Sequence, residues 1–94
     1  MIKTFADKST KEFWDRGTSQ RMPPPNLRNA AKKKLAMVHS AEKLEDLRIP
    51  PGNKLEALHR DREGQHSIRI NDQFRVCFVW REGDAYQVEI TDYH

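Results

Sequence analysis

Near Lys54 the spacing of apolar residues changes from helical to twofold, and the connections beyond that point are too short to let neighbouring strands run parallel. Strands are predicted over residues 54–58, 65–70, 74–81 and 85–92, with a charged connection at 59–64 and turns around Asn71 and Asp72 and at Glu82, Gly83 and Asp84. A parallel crossover needs about a dozen residues, so the last three strands must form an antiparallel meander.

Upstream the pattern is helical. Residues 1–5, with Ile2 and Phe5 apolar, are predicted as a short strand. Asp7 or Ser9 can cap a helix over 10–16 whose apolar side is Phe13 and Trp14 and whose end is Gly17, with a connecting loop over 18–22. Pro23, Pro24 and Pro25 suit the start of a second helix, because proline has no N–H to lose in the first turn. That helix runs to about His39: Leu27, Ala31, Leu35 and Val38 form one stripe at the 3.6-residue period. Arg28 and the run Lys32, Lys33 and Lys34 read as its solvated face. Ser40 can cap a short helical turn through Leu44 and Leu47 before Ile49, Pro50, Pro51, Gly52 and Asn53 break the chain.

Helices first and sheet second predict an α+β fold: a short N-terminal strand and two to three helices packed on one face of a twisted antiparallel β-sheet. The 94 residues are expected to form one domain, residues 1–94. A chain of that length buries only about 60 to 65% of the surface its unfolded form exposes, which leaves room for a single core.

Loop length decides which side chains share a face. A three-residue loop at Asn71, Asp72 and Gln73 places Ile68 and Ile70 with Phe74, Val76, Phe78 and Trp80. A three-residue loop at Glu82, Gly83 and Asp84 would pair Trp80 with Tyr86, Phe78 with Val88 and Val76 with Ile90, completing a core face against the helices. The opposite face then collects Arg69, Arg75, Glu89 and Thr91, and by continuation Tyr93. Strict alternation sends Asp92 and His94 the other way, so their approach to Arg75 requires the strand to end or twist near Thr91.

Several function classes are excluded at this level. The single cysteine, Cys77, permits neither an internal disulfide nor a multi-cysteine zinc site and suits the cytoplasm. The N-terminus MIKTFADKST lacks the apolar stretch of a signal peptide, and no run of about 18 apolar residues exists to cross a bilayer, so no membrane partner is expected. GxxxxGK[ST], GxGxxG and GxSxG are all missing, and His39, His59, His66 and His94 form no HExxH pattern, so neither a metal nor a cofactor is expected. A net charge of +3 and a pI near 9.2 do not by themselves name a nucleic-acid partner. The grouping of Arg60, Arg62, Arg69 and Arg75 is more informative.

Cleavage of RNA without a metal needs cations for the scissile phosphate, a base for the ribose 2′-OH and an acid for the departing 5′-oxygen. Arg75 and Arg69 can supply forked phosphate contacts, and His94 and His59 can move protons near neutral pH. Tyr93 can stack on a base or orient the backbone, and Asp92 can fix a histidine tautomer or transfer a proton itself. Each of these has a plainer reading: arginines on exposed strand faces usually only solubilise, and a terminal histidine usually frays.

The segment LEALHRDREGQHSIRINDQFRVCF, residues 55–78, closely resembles HigB-type toxins of the RelE/ParE superfamily, as do the ending Asp92, Tyr93 and His94, the opening Met1, Ile2 and Lys3, and the turn Gly83, Asp84, Ala85 and Tyr86. The resemblance implies a RelE/ParE-like fold and a ribosome-dependent messenger-RNA endonuclease that cuts in the ribosomal A site, held there by ribosomal RNA. It implies a HigA-like helix-turn-helix antitoxin through which alone operator DNA is met, and no metal. Carried to matching positions, it makes Arg75 the phosphate contact, Asp92 and His94 catalytic or substrate-orienting, and Tyr93 a stacking or positioning residue. His59 stands where a lysine is common in such toxins and Arg60 where glycine is usual, so Arg60 either alters the loop or adds a phosphate contact, alongside Arg62 and Arg69. Some members carry a histidine at the position of Glu56, and that role does not transfer. Two other readings fit the same resemblance: a ParE-like inhibitor of DNA gyrase that acts by binding, and an interaction module whose basic face serves only the antitoxin.

Overall fold

The computed structural model describes residues 1–18 and 23–92, so that Tyr93, His94 and most of the 18–22 connection lie outside the described residues. Helix α1 spans Lys8–Arg16. Asp7 starts it, its carboxylate accepting from the Thr10 N–H at 3.0 Å, and Gly17 ends it at φ 78°, a conformation that costs glycine nothing. Phe13 is buried beneath this helix, and the Thr10 hydroxyl accepts from the backbone N–H of Ile90, which fastens α1 to the sheet.

A 3₁₀ turn over Pro25–Leu27 leads into helix α2, Arg28–Ser40, and the expected stripe forms its buried side: Ala31, Leu35 and Val38 have no exposed surface. Ser40 is the last residue of α2 and does not cap the turn beyond it. The 3₁₀ helix there, Leu44–Arg48, is capped from inside by Asp46, whose carboxylate accepts from the N–H groups of Glu42 and Lys43; those two bonds hold its pKa below the usual carboxylate range.

The sheet consists of β1 (Glu56–Ala57), β2 (Gln65–Arg69), β3 (Phe74–Arg81) and β4 (Asp84–Asp92), antiparallel throughout and in that spatial order. The N-terminal residues add to the free edge of β4, Ile2 and Phe5 bridging to Ala85 and Val88 in parallel. His39 on α2 anchors them, its Nδ1 accepting from the Ile2 N–H at 3.2 Å. β1 is shorter than the predicted 54–58 strand because a 3₁₀ turn, Pro51–Asn53, precedes it and Lys54 sits at φ 47°, outside the extended region. No helix among the described residues is long and apolar enough to cross a membrane.

The β2–β3 loop has the expected length. Arg69 faces Arg75 and Ile68 faces Val76, and the Asn71 side chain closes the turn by accepting from the N–H groups of Gln73 and Phe74. The β3–β4 turn differs from expectation: Arg81 pairs with Asp84 across a two-residue turn, Glu82 and Gly83, both at positive φ. Primed turns match the twist of a hairpin and require two such residues. Trp80 therefore faces Ala85, and Tyr86 moves to the outer side opposite Val79, where the Arg81 guanidinium lies 4.6 Å from its ring. A β-bulge then absorbs the one-residue slip, with Gln87 at φ 52°, and restores the pairing of Val76 with Ile90. Ile68, Val76, Phe78, Val88 and Ile90 thus pack with Phe13, Ala31, Leu35 and Val38 in one core.

Two polar groups inside this framework carry measurable consequences. Asn53 is fully buried and donates to the carbonyls of Leu47 and Ile49 while its own oxygen accepts from Lys34. Lys34 is therefore drawn out of the solvated run predicted for α2; burial and the adjacent Lys33 lower its pKa. Asn53→Ala is expected to cost about 1–3 kcal/mol in urea unfolding, the penalty of stranding buried carbonyls, and an unchanged midpoint would show those bonds to be dispensable.

His66 lies on the core side of β2, its ring 6.5 Å from that of Phe78, and its Nδ1 is buried with no hydrogen-bond partner among the described residues. Burial lowers its pKa below the ordinary 6.5, so the unfolded chain takes up this proton first. Its contribution is therefore present above pH ~6.5 and is lost as pH falls from there through the folded value. Urea midpoints measured between pH 8 and pH 5 are expected to fall less in His66→Phe than in the wild type; parallel curves would contradict this.

Candidate functional site

The outer face of the sheet, away from the helices, carries Ser67 and Arg69 on β2, Arg75 and Cys77 on β3, and Glu89 and Thr91 on β4. Toward one end it hollows into a cleft of about 220 Å³ lined by Lys54, Arg69, Asn71, Asp72 and Arg75. Three cationic side chains in one small depression favour an anion, and arginine suits a phosphate because its planar fork can donate two parallel bonds.

Arg75 is the most constrained of them. It is only 9% exposed, although it emerges from the middle of a sheet face that meets water. Its Nε donates to the Ser67 hydroxyl at 2.7 Å, one Nη donates to the Lys54 carbonyl at 2.8 Å, and the same Nη lies 3.4 Å from a Glu56 carboxylate oxygen. The αL conformation of Lys54 is what turns that carbonyl into reach. Arg69, directly opposite in the ladder, forms an ion pair with Asp72 in the adjoining turn.

Asp92 ends β4 opposite Phe74, and its carboxylate accepts from the Gln73 side chain at 3.0 Å. Strand pairing continues through Thr91 to Asp92, so of the two routes by which an approach of Asp92 to Arg75 was expected, a strand end or a twist near Thr91, the strand end does not occur. Asp92 nevertheless lies at the same end of the sheet as the cleft. Tyr93 and His94 lie outside the described residues.

The remaining candidates fall elsewhere. His59 and Arg60 follow β1 toward the end where Gln65 faces Val79, four residues along β3 from Arg75, or about 13 Å at strand rise. Both are exposed. Arg60 has φ 60°, so the loop retains the left-handed conformation that glycine would adopt, with an arginine in place. Arg62 braces the face: it donates to Gln65 at 3.1 Å and to Glu89 at 3.2 Å, and Glu89 also accepts from Thr91. Cys77 lies fully buried in this neighbourhood, and burial pushes its thiol pKa up, against smaller opposing effects of Thr91 and Arg62.

Sequence reasoning did not single out Ser67, the Lys54 carbonyl or Glu56 as neighbours of Arg75. Ser67 is the small polar residue between two core-facing ones in the alternation of β2, a faint signal at most; a backbone carbonyl leaves no signal in side-chain identity.

Comparison with known proteins places this chain in a family. Residues 3–94 match the model of HigB-like toxins, described as RelE-like toxins of the type II toxin-antitoxin system HigB. The chain is 39% identical over 85 residues to Toxin HigB-1 of Vibrio cholerae, covering 90% of each protein. It is 31% identical over 94 residues to Endoribonuclease HigB of Proteus vulgaris, covering the whole of both. The fold is similar to that of YafQ from E. coli strain BL21(DE3), with a TM-score of 0.60 at 12% identity over 98% of this chain and 91% of that one. Antiparallel sheet, packed helices and a near full-length family match together establish that this chain belongs to the HigB-like toxins, RelE-like toxins of type II toxin-antitoxin systems.

Proposed function

We propose that the protein is a ribosome-dependent endoribonuclease that cuts messenger RNA in the A site and so stops translation, using the ribose 2′-OH as nucleophile without a metal. The observation that carries this reading is the Arg75 guanidinium, held on two sides by Ser67 and the Lys54 carbonyl at the wall of a small cationic cleft. A fixed guanidinium costs no reorganisation when charge develops on a phosphate, which is where such groups accelerate a reaction most. The name of the Proteus vulgaris relative, Endoribonuclease HigB, supports the same activity.

In this reading Arg75 and Arg69 hold the scissile phosphate, Asp92 and His94 orient substrate or move protons at the β4 end, and Tyr93 stacks on a base. His59, Arg60 and Arg62, set farther along the face, meet the flanking RNA backbone. The ribosome supplies orientation, worth up to about 7–11 kcal/mol of barrier in well-positioned systems, which makes a sparse active site sufficient. The expected partners are messenger RNA and ribosomal RNA in the cytoplasm, and a HigA-like helix-turn-helix antitoxin that alone contacts operator DNA.

Induction of the protein followed by primer extension on ribosome-bound messages tests this directly. New 5′ ends within codons are expected with the wild type and are expected to vanish in a chain lacking His94. Growth arrest with intact transcripts, together with loss of supercoiling by gyrase in the presence of purified protein, would replace the nuclease by a gyrase inhibitor.

A further inference from the structure

Lys54 holds φ 47° and ψ 54°, left-handed values that a residue with a Cβ keeps only where its surroundings impose them. The consequence falls on Arg75. The carbonyl that this conformation turns toward the outer face accepts from an Arg75 Nη at 2.8 Å. Because ψ sets the direction of the C=O, an extended residue at position 54 would point it elsewhere and release that side of the guanidinium.

What imposes the conformation sits one residue earlier. Asn53 has no exposed surface, and its amide nitrogen donates to the Leu47 carbonyl at 3.2 Å and to the Ile49 carbonyl at 3.4 Å, while its oxygen accepts from the Lys34 ammonium on α2. The backbone closes the same turn: the Asn53 N–H donates to the Pro50 carbonyl at 2.9 Å and the Lys54 N–H to the Pro51 carbonyl at 3.1 Å. One side chain thereby ties the turn before Lys54 to α2, to the 3₁₀ helix Leu44–Arg48 and to the chain that follows that helix. A buried polar group satisfied in this way selects one conformation where apolar packing would tolerate several. Neither Asn53 nor Lys34 lines the cleft, so any influence on its chemistry must pass through Lys54.

We propose, resting on the nuclease reading above, that Asn53, fastened by Lys34, is a positioning residue for the cleavage: it holds the left-handed turn whose Lys54 carbonyl aims the Arg75 guanidinium at the phosphate. Asn53 meets neither the RNA nor the reacting bonds and acts only through where Arg75 stands. A charged group displaced by about 1 Å can cost on the order of 10²-fold in rate even when the mutated residue is remote from the chemistry. The helix layer is in this way coupled to the opposite face of the sheet, from Lys34 on α2 through Asn53 and Lys54 to Arg75 on β3.

Single-turnover cleavage by the full chain, on bacterial ribosomes programmed with a defined message, tests this at a temperature where urea titration shows every variant folded. Asn53→Ala is expected to slow cutting about 10- to 10²-fold with binding to the programmed ribosome unchanged. In an Arg75→Ala background the same substitution is expected to leave the residual rate where it stands, because an effect exerted through Arg75 has nothing left to act on. Lys34→Met, which keeps the two carbonyl bonds of Asn53, is expected to give a smaller loss of the same kind, and Lys34→Arg, which can still donate to the Asn53 oxygen, to restore the rate. In ¹⁵N spectra the Arg75 Nη–H signals, held by Lys54, are expected to be resolved in the wild type and averaged by rotation in Asn53→Ala. A rate that falls by the same factor with and without Arg75, or Arg75 signals unmoved by Asn53→Ala, would overturn the positioning role. A wild-type chain that leaves the message intact overturns the nuclease reading and any part of Asn53 in it, whereas an active wild type equalled by Asn53→Ala overturns the role of Asn53 alone.

Discussion

Arg75→Ala is expected to slow cutting of ribosome-bound message on the order of 10²- to 10³-fold, the loss expected on removing one preorganised donor from a site of developing negative charge. The variant should still fold, since the core face of β3 is untouched and the partners it loses, among them the Ser67 hydroxyl, the Lys54 carbonyl and the Glu56 carboxylate, lie on the outer face beside the cleft. Arg75→Lys is expected to recover little. An ammonium carries the charge but cannot hold Ser67 with one nitrogen, Lys54 with a second and a phosphate at the same time. The check is a rate of message cleavage beside a urea midpoint for each variant. Cleavage at the wild-type rate in Arg75→Ala would remove the central cation from the mechanism.

The largest stability effect is expected at Phe78. It has no exposed surface, lies at the centre of β3, and its ring meets His66 at 6.5 Å on one side and Trp80 edge-on at 6.4 Å on the other. Phe78→Ala is expected to cost about 3–5 kcal/mol, the lost transfer energy plus the cavity left behind. Domains of this size have total stabilities of about 5–15 kcal/mol, and each kilocalorie moves the melting temperature by about 4–8 °C. A fall on the order of 20 °C is therefore expected in thermal unfolding. A loss under about 1 kcal/mol would mean that the two sides of the core close over the gap, contrary to the close packing typical of such interiors.

Both expectations depend on which face of the sheet a residue occupies, and this was legible in unequal measure. The stripe Ala31, Leu35 and Val38 and the alternation from Gln65 to Val76 reflect the repeat lengths of helix and strand, so α2, β2 and the first half of β3 emerge where periodicity puts them. Asn71 also announces its turn, because a short side-chain carbonyl there can satisfy two backbone N–H groups. The second hairpin is different. Glu82, Gly83 and Asp84 are compatible with a two- or a three-residue turn, and the choice is made at Gln87, where a bulge corrects the register. A non-glycine residue at φ 52° is not something periodicity predicts, since its cost is met by contacts outside the strand.

The layered α+β architecture, the face on which Arg69 and Arg75 emerge and the family resemblance are all readable along the chain. These depend on local period, turn chemistry and a string of neighbouring residues. The clamping of Arg75 by Ser67 and the Lys54 carbonyl, the reach of Glu56 to it from β1, the bracing of Glu89 by Arg62 and the separate position of His59 arise from how the segments pack. Those contacts join residues 8 to 27 positions apart through strand order and an αL residue at Lys54, and no pattern confined to one segment of chain encodes the distance between two segments.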